Sequence, residues 1–367
     1  MPKHTGIYIH IPFCRKKCNY CDFVSLPADS YTLKRQIVNY LLSLSDEMSV
    51  FLPGKSSGER LTLYIGGGTP SLLSEKQLEF LFGNILNREY IKNGTIDEFT
   101  VEVNPESLTD DKLKLFRQYG GNRLSIGCQS LDETILKFLG RVHTKTDFCR
   151  CYDLARKNGF ENINIDLIFG VPGQTLNGWK NTLWEAAGLI PEHISVYSLT
   201  IEKGTKFYKE NLKKDDDIDA DMYRTAIRFL KKKGYHHYEI SNFSKPGFES
   251  SHNINYWHNG EYYGFGLGAV SYLAGRRITN TGDMKKYLSG EYRESFEELS
   301  YEKKISENLM LGLRMLDGVK PGKDALKLHS ETISYLEKNN LLKKSGAKLK
   351  LTGKGIMLAN YVFRELL

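Results

Sequence analysis

The chain has no apolar stretch long enough to cross a bilayer, and its start does not read as a signal peptide, so a cytoplasmic location is expected. In that reducing setting, thiols clustered in sequence bind metal rather than crosslink. Cysteine is limited to six residues, and no second C-x-x-C half follows the first cluster, which withholds the usual four-cysteine zinc site. Internal repeats and low-complexity linkers are both missing. So is a strong charge of one sign: 51 Lys and Arg against 44 Asp and Glu leave a net +7. The basic runs Lys213-Lys214, Lys231–Lys233 and Lys343-Lys344 sit near helix ends and in a late loop, as a solvated surface would place them, and nucleic acid is not an expected partner.

With 367 residues and 40% hydrophobic content, the chain suits a large α/β domain with a smaller attachment. Strand-like runs at 6–11, 61–65, 98–103, 123–128, 162–168 and 193–199 alternate with helical patterns at 31–50, 73–86, 110–119, 145–158 and 176–188. Ser74 is a candidate N-cap for the second helix. Repeated βα units imply a parallel sheet, whose functional groups gather beyond the carboxyl ends of its strands. After Thr200 the alternation breaks. A charged helix at 217–233 leads into an aromatic, His- and Gly-rich stretch through Gly268. The tail predicts helices at 302–316, 330–339 and 354–366 around a hairpin at 341–351, a winged-helix pattern. The division expected is residues 1–295 and residues 296–367.

Cys14, Cys18 and Cys21 fall within eight positions directly after the first strand. Thiols so close in one loop are poor disulfide partners and good joint ligands. Three of them suit three irons of a four-iron cube with the fourth iron open. A zinc site completed by His10 or His4, or metal-free thiols, are the alternatives. Cys128, Cys149 and Cys151 read as buried small side chains. The strand ends carry these cysteines, Gly66-Gly67-Gly68, Glu102, Gln129, Asp166 and Tyr197, which points to one shared site. Asp166 lies in an apolar strand and needs a partner there; Arg141 is a candidate for that structural role.

Tyr8–Cys14 through Cys21, together with Gly66–Pro70, resembles the radical S-adenosylmethionine (SAM) proteins. Val101–Glu106, Arg123–Gly127, Gln129, Arg141 and Asn164–Asp166 narrow the resemblance to the oxygen-independent coproporphyrinogen III oxidase group, over nearly the whole chain. It implies an incomplete, open (β/α)6 barrel with a small C-terminal winged-helix-like α+β domain. It places a [4Fe–4S] cluster on Cys14, Cys18 and Cys21, and cluster-bound SAM near Tyr8, Gly67 and Glu102. Tyr20, Gly68, Thr69, Gln129, Arg141 and Asp166 match positions that hold a second SAM in the true oxidases.

One departure separates this chain from those oxidases. They carry a further cysteine two positions after the third cluster cysteine, where this sequence has Phe23. That substitution is similar to a sister branch of haem chaperones, as is His252-Asn253-Ile254-Asn255-Tyr256-Trp257. The resemblance implies haem as cargo, contacted by His252, Asn253, Tyr256 and Trp257. It also implies delivery to haem-acceptor proteins, respiratory enzymes at the membrane among them, and is compatible with peripheral membrane contact and a homodimer. The bland reading of the motif is a loop histidine satisfied by hydrogen bonds, with Trp257 in the core. The competing activity is radical decarboxylation of a porphyrinogen.

Overall fold

A computed structural model describes residues 4–27, 31–54 and 58–367. Its centre is a twelve-stranded sheet. Numbering the strands of this sheet alone, the six expected strands are β1 (Thr5–Ile11), β2 (Arg60–Gly67), β3 (Thr95–Val103), β4 (Arg123–Gln129), β5 (Ile163–Phe169) and β6 (His193–Ser198). They lie side by side in sequence order and run parallel. Sequence reading missed six more strands. They are β7 (His236–Glu239), β8 (Asn242–Ser244), β9 (Tyr262–Phe265), β10 (Val270–Leu273), β11 (Arg276–Asn280) and β12 (Arg293–Glu298). β9 adds a seventh parallel strand beside β1, and β10 to β12 continue from it antiparallel. On the other edge, β8 pairs antiparallel with β6, and β7 pairs antiparallel with β8 as the last strand.

Residue alternation explains the two faces. In β2, Leu61, Leu63 and Ile65 are fully buried against the helical layer, while Thr62 and Tyr64 alternate onto the opposite face. β5 repeats the pattern with Ile163, Ile165 and Leu167 against Asn164 and Asp166. The helices supply the other half of the core, including Phe82, Phe116, Phe148 and Trp179. The helix Glu75–Leu86 opens on the expected Ser74 cap, completed as a capping box with Gln77.

The inward face is polar and buried, so its hydrogen bonds must close internally. Asn164 donates to Ser125 Oγ at 2.8 Å and to Asp166 Oδ1 at 2.9 Å, and its carbonyl oxygen meets His193 Nδ1 at 2.6 Å. Glu98 performs the same service for the motif helix Ser251–Trp257. Its carboxylate accepts from the backbone N–H of Ser251 at 2.7 Å and of His252 at 3.3 Å, and from Ser250 Oγ at 3.1 Å. A buried carboxylate on β3 thereby pins the start of that helix against the sheet. The motif is helical, not the loop its bland reading supposed.

The tail has its own core of Leu309, Leu313, Ile333, Leu336, Leu349 and Val362. It packs helices Tyr301–Gly312, Lys323–Leu328 and Ser330–Lys338 around the hairpin Leu342–Ser345/Lys348–Leu351. The single last helix expected at 354–366 is two, Gly353–Met357 and Ala359–Glu365, broken at Leu358. Gly355 is pressed against the Leu341 carbonyl, where a Cβ would lie 2.0 Å away. That contact fixes the first turn on the hairpin, and the chain must redirect to bury Val362 and Phe363. Among the described residues no helix is long and apolar enough to cross a membrane.

Candidate functional site

Beyond the carboxyl ends of β1 to β6 lies a cavity of about 430 Å³. Cys14, Cys18 and Cys21 line it, all as free thiols. A short parallel pairing of Phe13–Cys14 with Leu26–Pro27 ties the two ends of the cysteine loop together. Thr69 Oγ1 donates to Cys14 Sγ at 3.6 Å, and Arg141 Nη1 to Cys18 Sγ at 3.5 Å. Asn104 bridges these two donors. Its Nδ2 donates to Thr69 Oγ1 at 2.8 Å and its Oδ1 accepts from Arg141 Nη2 at 2.7 Å. One polar chain thus runs from Cys14 to Cys18 through three side chains. Sequence reading passed over Asn104 as the end of a strand; its place before Pro105, at a strand end, was the available signal.

Arg141 does not pair with Asp166, so the structural role expected for it is corrected. Its remaining bonds go to the Gly127 carbonyl at 3.0 Å and to His143 Nδ1. Because His143 Nδ1 accepts there, Nε2 carries the proton and donates to the Cys128 carbonyl. Burial, then the Arg141 charge, pushes this imidazole down to about 3. Asp166 accepts instead from Ser125, at 3.0 Å, and from Asn164, with Ser195 also bonded to it.

The glycine turn is built for close approach. A Cβ on Gly66 would meet the Glu102 carboxyl at 2.8 Å, and one on Gly68 would lie 2.7 Å from the Phe13 carbonyl oxygen. Gly67 has φ +109° and donates its N–H to Glu102 Oε2 at 3.0 Å. Glu102 Oε1 accepts from Tyr64 at 2.7 Å. Burial raises the Glu102 carboxyl to about 7, and Asp166 adds to the rise. Burial likewise pushes the Cys14 thiol up to about 11 and raises that of Cys21. Gln129 adopts a left-handed φ of 65° on the cavity wall, a conformation that costs a non-glycine residue about 1–3 kcal/mol.

Tyr20, Gly67, Gly68, Thr69, Glu102, Gln129, Arg141 and Asp166 all line this cavity, as does Tyr197. Tyr8 does not. Its hydroxyl shares a hydrogen bond of 2.9 Å with His10 Nδ1, and both residues line a second cavity of about 690 Å³. Both ring nitrogens of His10 are hydrogen-bonded, Nδ1 to Tyr8 and Nε2 to the Val24 carbonyl, and His4, bonded to Asp97, stands at the opposite end of β1 from the cysteine loop, so neither completes a zinc site with the cysteines. Of the outlying cysteines, Cys128 and Cys151 are buried as expected, while Cys149 is half-buried.

The second cavity gathers His252, Asn253, Tyr256 and Trp257. Asp22, Phe23 and Tyr64 line both cavities, and Phe23 is 62% exposed between them. His252 is 1% exposed, and both ring nitrogens are engaged, Nδ1 with Thr62 Oγ1 at 2.8 Å and Nε2 with the Tyr256 hydroxyl at 2.9 Å. The Arg314 guanidinium covers the Trp257 ring at 4.2 Å, while the indole Nε1 is buried without a partner among the described residues. A flat aromatic ligand with polar edges matches such a wall.

The first cavity fits a cluster and SAM on its own chemistry. Three half-buried thiols converge on it, and thiols become thiolates when they bind metal. Side-chain-free backbone lies beside a desolvated carboxylate suited to a cationic ligand.

Residues 8–186 match the profile of the Radical SAM superfamily, and residues 299–358 that of the HemN C-terminal domain. The chain is 39% identical to the heme chaperone HemW of Bacillus subtilis (strain 168), covering 97% of each chain. It is 40% identical to the heme chaperone HemW of Lactococcus lactis subsp. lactis (strain IL1403), covering 100% of this chain and 98% of the relative. Among solved structures, the coproporphyrinogen III oxidase (HemN) from Escherichia coli, a radical SAM enzyme, superposes with a TM-score of 0.84 at 22% identity. The match covers 100% of this chain and 90% of that one, and it shows the fold.

Proposed function

The chain belongs to the HemW family of heme chaperones within the radical SAM superfamily, and on that premise we propose that it binds haem and passes it to haem-acceptor proteins. The observation that carries this reading is the pair of adjoining cavities. One holds the cysteines, glycine turn and carboxylates; the other is aromatic and holds the His252–Trp257 motif; Phe23 and Tyr64 stand in the wall between them. Cys14, Cys18 and Cys21 would hold the [4Fe–4S] cluster. Gly67, Gly68, Thr69 and Glu102 would receive SAM, with Tyr20, Gln129, Arg141 and Asp166 lining the rest of its space. When bound, cluster and SAM supply one-electron chemistry at a sulfonium centre.

The chain's own residues do the rest. Arg141 and Thr69 donate to the Cys18 and Cys14 sulfurs and are tied to each other through Asn104, which would hold those two ligands in register. Glu102, fixed by Tyr64 and Gly67, presents a carboxylate to a cationic ligand. Tyr8 closes the aromatic side. Phe23 puts a ring where the oxidase group has a further thiol. Asn253, Tyr256 and Trp257 offer edges and faces to a porphyrin, whereas His252 orients Tyr256 and Tyr64 from behind. Respiratory haem proteins as acceptors, contact with the membrane surface and a homodimer form the finer part of the proposal, supported by the family resemblance.

The test is anaerobic reconstitution of the cluster followed by two assays on one preparation. Saturable binding of ferric haem, with transfer to an apo-acceptor and no decarboxylation of coproporphyrinogen, is expected. Turnover of coproporphyrinogen to protoporphyrinogen would overturn the chaperone reading in favour of the oxidase.

A further inference from the structure

Resting on the proposal that the aromatic cavity takes haem, the question is which side chain reaches the iron. The ligand-capable groups of that wall are mostly spent on one another. Both nitrogens of His252 and both of His10 are hydrogen-bonded inside the protein. The hydroxyls of Tyr8, Tyr64 and Tyr256 are held by His10, Glu102 and His252. Tyr272 meets Asn259 Nδ2 at 3.5 Å. Asp22 belongs to the cluster loop, next to Cys21, where an iron ligand would draw the porphyrin onto the cluster thiols.

Tyr262 differs from these: the partner of its phenol oxygen is a cation, the Arg277 guanidinium. It opens β9 and pairs with Gly6 of β1, where the missing side chain makes room: a Cβ on Gly6 would lie 3.0 Å from the Tyr262 Cβ. Its ring meets Tyr256 edge-on at 4.6 Å, and it lines the cavity together with Arg277. The guanidinium of Arg277 is fixed from behind by Glu297 at 3.0 Å and Glu307 at 2.8 Å. The Tyr262 phenol lies above its ordinary value: burial is the largest cause, Glu307 and Tyr272 add to it, and the charge and hydrogen bond of Arg277 offset part of the rise. The free cavity therefore holds the phenol protonated until Fe(III) displaces the proton, with Arg277 beside the oxygen to balance the new negative charge, and phenolate is an established type of ligand for ferric haem.

We infer that Tyr262, supported by Arg277, is the protein ligand to the ferric haem iron in this cavity, and that His252 is a positioning residue behind it. On binding, the phenol O–H gives its proton to solvent and the oxygen lone pair forms the bond to Fe(III); no electron is transferred.

The experiment titrates ferric haem into the cluster-reconstituted full chain and compares wild type with Tyr262→Phe and Tyr262→His by electron paramagnetic resonance and resonance Raman spectroscopy. Wild type should show high-spin ferric haem with phenolate vibrations. Tyr262→Phe should lose those vibrations and bind about tenfold or more weakly. Tyr262→His should regain affinity with an imidazole-type spectrum. Unchanged cluster absorbance and thermal melting confirm that the variants fold; if Tyr262→Phe does not fold, Tyr262→His decides alone. An unaltered spectrum in either folded variant, or an imidazole-type spectrum in wild type, would overturn the inference. Wild type that binds no haem at all would instead remove the chaperone reading beneath it.

Discussion

The hydroxyl of Tyr64 donates to Glu102 Oε1 at 2.7 Å, while its ring stacks on His252 with centroids 5.0 Å apart and planes inclined by 27°. One side chain on β2 therefore touches the carboxylate of the cluster cavity and the histidine of the aromatic cavity at once. The rigid parallel strand beneath it keeps both contacts in fixed geometry. Any ligand that changes the charge on Glu102 acts on a group one ring away from the haem motif.

Glu102→Gln tests what that carboxylate costs. Its folded value of about 7 lies above the ordinary 4.5, chiefly through burial. A raised carboxyl contributes stability that is fully present below the unfolded value and is lost as pH rises through the folded one. The ligand-free wild type should therefore weaken between about pH 5 and pH 8 relative to the permanently neutral glutamine variant. Denaturant midpoints at those two pH values measure the gap. A gap that does not widen with pH counts against the carboxylate's burial, since any constant packing penalty cancels in the comparison. SAM binding should be lost at both pH values.

Gly67→Ala should be among the costlier glycine changes. Its φ of +109° disfavours a side chain, and a Cβ there would sit 2.6 Å from the His10 ring, itself anchored to Tyr8 and Val24. Strain and overpacking together predict a loss of about 2–5 kcal/mol in urea unfolding. Gly83→Ala, inside the helix Glu75–Leu86 and with open space around its Cβ, is the control and should stabilise by about 0.5–1 kcal/mol. Equal effects at the two sites would contradict the packing at Gly67.

The six parallel strands were legible because each alternates cleanly and stops at a polar turn, as Leu61–Ile65 does before its three glycines. β9 was not: Tyr262–Phe265 is four residues long and carries Gly264, too short and too interrupted to show a period. β7 and β8 lie in a single aromatic run whose turn, Ile240-Ser241, bears no glycine or proline. The motif helix is only seven residues, and what makes it a helix is Glu98, more than 150 positions away. Site residues at strand ends could be read because topology gathers strand ends. His143 and Tyr262 could not, since their importance comes from the groups the fold packs against them, and spacing along the chain does not reveal such pairings.

Phe23→Ala should separate stability from binding. The ring is 62% exposed, so its removal should move the unfolding midpoint little, within about 0.5 kcal/mol. The same ring faces both cavities, and a porphyrin packed on it would lose about 1–2 kcal/mol of contact, a fall of about 5–30-fold in haem affinity. Fluorescence-quenching titration of the variant checks this. Unchanged affinity would place the haem away from the shared wall.

His252→Ala must be read with care, because it should harm the fold as well as the cargo site. The substitution removes the partners of Thr62 and Tyr256, unstacks Tyr64 and leaves a cavity around a side chain that is 1% exposed. Those terms predict a loss of about 3–5 kcal/mol. pH supplies the signature. Burial, followed by the Arg123 charge, drives this imidazole from 6.5 to about 3. A lowered histidine contributes stability that is present above its unfolded value and falls away as pH drops toward the folded one. The wild type's advantage over His252→Ala should then be full at pH 8 and smaller at pH 5, as measured by denaturant unfolding without haem. If the advantage is the same at both, the ring is not held neutral in the barrel. If it shrinks as expected, the ring is neutral and hydrogen-bonded in the haem-free protein, and weakened haem binding in His252→Ala has to be compared with that of Tyr262→Phe before it is read as the loss of an iron ligand, because Tyr256 and Tyr64 are displaced as well.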